Sequence, residues 1–150
     1  TKIAKERGHD AIRINVKPSI GNLLLWKSIY ETQDKFYIDA IRLGWSPKIF
    51  NGESIDKMNT KSSFPWLTIK SQQAQDVERF KWFSDGYIAI NPKNKNQILD
   101  IRYSTLPNEM GGLWGIELSK EKTNNSHVKY IKNRTISKNQ QRKFKEMLFY

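Results

Sequence analysis

The sequence predicts an α+β fold: a mostly antiparallel sheet of six to eight strands, packed by a helix at about residues 71–83, with short N- and C-terminal helices. Three observations carry this expectation. Short runs rich in Ile, Leu, Val, Tyr and Phe, several alternating apolar with polar residues, recur through 11–43 and 87–132, the pattern of strands with a buried face. The connections between them are turn-like, such as Gln33-Asp34-Lys35, and suit hairpins. Within 71–83, Ala74, Val77, Phe80 and Phe83 recur at helical spacing.

Taken in order, residues 1–10 read as the end of a linker helix, with Lys5 and Arg7 in its last turn and Gly8 in the left-handed closing position. About two turns do not stand alone, so this helix is expected to continue upstream, and a chain starting at Thr1 reads as a piece of a longer protein. Residues 11–17 set Ile12, Ile14 and Val16 against Arg13, Asn15 and Lys17, a half-buried strand. Pro18, Gly21 and Asn22 then form a corner expected to deliver the unbroken apolar run 23–26, ending at Trp26, into the core. Segments 23–32 and 36–43 form an antiparallel hairpin.

Residues 44–70 are rich in Pro, Gly, Asn and Ser and hold one short strand at 48–50; Phe64, Pro65 and Trp66 are too apolar for a free linker and are expected to pack down. Ser71 is the expected N-cap of the central helix. Strands follow at 87–90, 98–104 and 113–118, with loops at 91–96 and 107–112, and a lysine-bearing edge strand at 127–132. Ser137 and Gln140 have capping-box spacing, opening a C-terminal helix with Phe144 and Leu148 on one side. The domain reading is a linker at 1–10, one α+β domain over 11–134, and a basic helix or tail at 135–150.

A chain of 150 residues buries enough surface to fold without staples, and with no cysteine it has no disulfide, thiolate metal site or cysteine nucleophile. No apolar run approaches the about 20 residues of a membrane span. The net charge of +11 is unevenly placed: residues 1–17 are net +3, 18–119 net +1 and 120–150 net +7. Charge gathered at the ends suits attachment to an anionic lipid surface, whereas a nucleic-acid-binding module more often presents a basic structured face.

Two histidines in all make a converging set of metal ligands in this domain unexpected. His9-Asp10 reads as an exposed pair beside a helix end. Asp39, Asp100 and Arg102 fall on strands and can meet across a sheet, with an ion pair as their default role; Ser84 and Asp85 lack a histidine beside them, and a helix-to-strand connection explains them. Asp39, Asp85, Asp100 and Arg102 are therefore the candidates for a carboxylate-based hydrolase site.

Arg7-Gly8-His9 and the run 16–30, with Pro18, Gly21, Asn22, Trp26 and Tyr30, together with Phe83-Ser84-Asp85-Gly86-Tyr87 and Asp100-Ile101-Arg102, resemble the C-terminal soluble region of the YdjM-like family of bacterial inner-membrane metal-dependent hydrolases, which includes LexA-regulated members. The resemblance spans residues 5–118 and leaves 120–150 unmatched. It implies an N-terminal membrane-spanning region as partner, with any divalent metal held there and no cofactor in this domain. It implies an accessory role, recognising a ligand or covering the membrane-embedded site; the basic ends, set beside a span, point to the cytoplasmic side of the inner membrane. A nucleic-acid-binding module and an independent hydrolase are the alternatives.

Overall fold

Among the described residues all strand pairing is antiparallel, but the eight strands divide into two four-stranded sheets instead of joining one. The computed structural model describes residues 2–150, so Thr1, the first residue of the expected N-terminal helix, lies outside them. Helix α1 (Lys2–Glu6) precedes a first sheet of β1 (Arg13–Pro18), β2 (Leu25–Glu31), β3 (Lys35–Arg42) and β4 (Lys48–Asp56). Helices α2 (Thr60–Ser63) and α3 (Gln72–Phe83) lead to a second sheet of β5 (Ile88–Asn91), β6 (Asn94–Asp100), β7 (Trp114–Glu117) and β8 (Lys129–Lys132). Helix α4 (Lys138–Phe149) closes the described chain. In each sheet the strands lie in chain order.

Alternation explains the split. In the second sheet both sides of the strands are apolar. Ala89 and Leu99 join Ile29, Phe36 and Ile38 of the first sheet in one core, and Ile88, Ile98 and Ile116 join Val77 and Phe80 of α3 in another. A sheet buried on both faces needs a layer on each side, and the first sheet supplies one while α3 supplies the other. A third, smaller core sets Met147 of α4 against Leu25, Ala40 and Leu106. Phe64 is buried in the α3 core, with Trp66 and Leu67 packed beside it.

Local chemistry fixes the helix ends. Gly8 has φ +70° after α1, Ser71 accepts a hydrogen bond from Ala74 N, and Ser137 and Gln140 complete their capping box. The buried side of α3 carries Gln73, Asp76, Val77 and Phe80, not the expected Phe83, which is 59% exposed. Gln73 explains the rotation: its side chain bonds both N and O of Ser119, clasping the helix to the chain after β7.

Strand β4 runs nine residues, far beyond the expected 48–50. Its polar side chains face solvent, so it shows no hydrophobic period. The expected strand at 98–104 starts and ends earlier, as β6. Its N-terminal half is Asn-Lys-Asn-Gln, again without an apolar signal, and the loop expected at 91–96 narrows to the Pro92-Lys93 turn. It stops at Asp100 because that carboxylate accepts the Arg102 backbone N–H and turns the chain.

The run 23–26 is not delivered into the core as expected. Leu23 and Leu24 are 75% and 52% exposed, and Trp26 is half-buried, its indole N–H donating to Leu23 O at 2.8 Å. The cause is strand period: Leu25, Lys27 and Ile29 lie on the inner face of β2, toward Leu106, Ser104 and Leu99 respectively, while Trp26, Ser28 and Tyr30 lie on the other face. The two-sided burial of β2 comes from the α1 end, where Tyr30 is covered. Trp26→Ala should therefore cost only about 1–2 kcal/mol in chemical denaturation, against about 3–5 kcal/mol for the fully buried Phe36→Ala; equal losses would place the indole in the core after all.

Candidate functional site

Parts of the three resemblance motifs touch between the layers: Lys17 of the first reaches Tyr103 beside the third, and Arg102 of the third reaches Phe83 of the second. Asp100, fully buried, accepts from Arg102 Nη2 at 2.7 Å, from Arg102 Nε at 3.0 Å and from Trp114 Nε1 at 3.2 Å. Arg102 Nη2 also donates to Phe83 O at 3.0 Å, tying β6 to the end of α3. Tyr103 packs on Trp114 with ring centroids 4.8 Å apart and accepts from Lys17 Nζ of β1 at 2.9 Å.

Asp85 takes φ +52° and Gly86 φ +75° in the turn after α3. Asp85 faces Arg13 Nη1 at 3.1 Å, and the same guanidinium bonds Glu31 at 2.8 Å and lies 4.3 Å over the Tyr87 ring. Burial pushes the Tyr87 phenol up. Burial also works against the charged form of Glu31, but hydrogen bonds from Lys57 and Arg13 outweigh it and hold that carboxyl below its usual range. Ser84 Oγ and Tyr87 OH are buried without a hydrogen-bond partner among the described residues.

Lys27, which the sequence did not single out, is the least ordinary group here. It points from β2 into the interface, 4% exposed, and donates to Ser104 Oγ at 2.6 Å and Glu109 O at 2.7 Å. Desolvation pulls its ammonium pKa down to about 7, against the opposing pull of Glu53, Asp100 and Glu109.

Asp39 belongs elsewhere. On the outward face of β3 it is clamped by Arg7 through two bonds of 2.8 and 2.9 Å and also accepts from Gly52 N. His9 is half-buried, not exposed: its Nδ1 lies 2.8 Å from Tyr30 OH and its ring 4.4 Å from that of Tyr37. Asp39, Asp85 and Asp100 are thus each engaged by a different arginine, on different elements. Among the described residues no three His, Asp or Glu side chains are grouped to hold a metal ion, and no helix is long and apolar enough to cross a membrane.

The corner at 18–22 has two roles. Gly21 supplies φ +80°. Asn22 works through its side chain, accepting from Leu24 N and Leu25 N and donating to Ser19 Oγ at 2.7 Å. This holds Ile20 at the mouth of a cavity of about 520 Å³ between the corner, β7 and α4, within the roughly 300–1,000 Å³ range of ligand pockets. Leu113, Trp114, Ile136 and Phe144 complete its apolar wall, and Arg134 and Lys145 are its cations. Residues 120–150, which matched no motif, provide six of its ten lining residues. A second, polar cleft lies by Glu31, Lys57, Lys61 and Lys81. An Asp76–His127 pair, 2.9 Å apart, pins the chain before β8 to α3.

No protein-family model, curated protein or solved structure matches this chain.

Proposed function

We propose that this chain is the soluble C-terminal portion of an inner-membrane protein of the YdjM-like hydrolase type, acting as an accessory ligand-recognition domain at the cytoplasmic membrane surface. Its catalytic groups and any divalent metal belong, in this reading, to a membrane-spanning region preceding it. The observation that carries the proposal is an apolar cavity roofed by a basic helix. Lys138, Arg142, Lys143 and Lys145 on α4 are exposed, as are Lys132 and Arg134 before it. Near an anionic bilayer each such cation contributes up to about 1 kcal/mol, screened within a Debye length.

Truncation at residue 120 is a poor test, since it removes β8 and α4 with their packing. Charge reversal at Lys138 and Arg142 leaves both in place. The protein should sediment with vesicles containing phosphatidylglycerol, release as salt rises, and lose most binding in the reversed variant. Equal binding to neutral vesicles would overturn the reading. Displacement from vesicles by DNA would favour the nucleic-acid alternative. A reporter fused after Tyr150 that reads periplasmic would overturn the cytoplasmic placement.

A further inference from the structure

The cavity beneath α4 combines features that select one kind of ligand. Two of its walls are open to water: Ile20 is 67% exposed and Ile136 51% exposed. Exposed isoleucines that line a concave apolar space gain most from an alkyl occupant, which removes both from water without demanding hydrogen bonds. Part of the polar lining is already engaged, the Trp114 N–H by Asp100. Gln140 is engaged through its side-chain oxygen by Ser137 N.

Charge at the cavity is one-sided. Arg134 and Lys145 line it, and no carboxylate does. Neighbouring cations on α4 are matched, Arg142 with Glu146 and Lys143 with Glu109, but neither Arg134 nor Lys145 has an ion-pair partner among those found for the described residues. An anionic head at the rim of an alkyl-filled cavity would supply the missing charge.

The geometry points to a binding site for a single-chain amphiphile with an anionic head, of the fatty-acid type, its alkyl chain between Ile20 and Ile136 and its carboxylate at Arg134 and Lys145. This rests on the reading of the domain as one that recognises a ligand. It adds the ligand's chemical class and assigns Arg134 and Lys145, among the cations of the basic surface, to the ligand's head.

Calorimetric titration with dodecanoate below its micelle-forming concentration, and with dodecanol as its neutral counterpart, tests it. Dodecanoate should bind one per chain and at least about tenfold more tightly than dodecanol, the difference expected of a charge-assisted contact. Arg134→Gln with Lys145→Gln should bring dodecanoate down to the dodecanol affinity and leave dodecanol unchanged. Ile136→Gln, at a half-exposed position that does not threaten folding, should weaken both ligands. Equal affinity for the two ligands in the parent would overturn the anionic head, and indifference to Ile136→Gln would overturn the cavity as the site. No binding of either ligand, by a protein that still sediments with anionic vesicles, would overturn this inference alone; loss of both would overturn the recognition reading as well.

Discussion

Asp100→Ala lowers the unfolding free energy by about 3–5 kcal/mol, the loss expected when one partner of a buried ion pair is removed. The carboxylate is fully buried, and the Arg102 side chain is 12% exposed. Truncation leaves that guanidinium with Phe83 O as its remaining acceptor and strips Trp114 Nε1 of its own. The Arg102 backbone N–H loses its acceptor too, so the turn that ends β6 loosens. Asp100→Asn keeps the shape and an acceptor oxygen and should cost less. The double variant Asp100→Ala/Arg102→Met should cost less than the sum of its single changes, because both act on one network. Urea denaturation reads all of these. A loss under about 1 kcal/mol for Asp100→Ala would show that the pair is not what joins the end of α3 to β6.

The second large effect is on pH dependence. With its pKa pulled down to about 7 from the ordinary 10.5, Lys27 binds fewer protons in the folded chain than in the unfolded chain throughout that interval. Stability therefore rises with pH between about 7 and 10.5, and below 7 the cost of the buried ammonium is present in full. At about 1.4 kcal/mol per pH unit, the protein should gain up to about 3 kcal/mol between pH 7 and pH 9.5. Glu53, Asp100 and Glu109 favour the charged lysine and so oppose the effect of burial. Lys27→Met removes the titrating group, while Ser104 Oγ keeps its bond to Leu106 O. Subtracting the variant's profile from the parent's isolates the lysine, and a flat difference would mean that the ammonium remains paired and charged throughout.

The α+β class, the β2–β3 hairpin, the central helix with its Ser71 cap and the C-terminal capping box were legible because each rests on local signals: alternation, turn residues and short-range caps. The division into two sheets was not. Strands of the second sheet alternate between two apolar sets, and nothing in a two-residue period says whether the far side meets a helix or another sheet. Strand β4 and the first half of β6 were missed for a plainer reason, since Asn, Lys, Gln and Ser carry no hydrophobic period. Trp26 misled because an unbroken apolar run looks buried, while the strand turns alternate members outward and only Leu25 is fully enclosed.

At the candidate site, Asp100 and Arg102 were visible as near neighbours in the chain, but the bond from Arg102 to Phe83 O was not. Asp39 was grouped with them as a strand residue able to meet them across a sheet, but β3 and β6 lie in different sheets, and its actual partner, Arg7, sits 32 positions away in the chain. Lys27 and the cavity were invisible. A lysine in a strand reads as solvent-facing until the opposing layer is known, and Ile20, Trp114 and Ile136 become neighbours only once α4 has docked.

Because neighbouring strands in each sheet are also neighbours in the chain, every ladder closes over a short stretch of backbone. Pairing then precedes any large loss of loop entropy, which places the topology toward the low-contact-order end for a β-rich chain. The long-range step is the docking of two halves, 13–56 against 88–132, across the connection that holds α2 and α3. Lys27, Tyr87 and Leu99 lie on that late-closing surface. The buried ammonium is thus dehydrated only when the halves meet, and its cost falls on the rate of that last step as well as on the final balance.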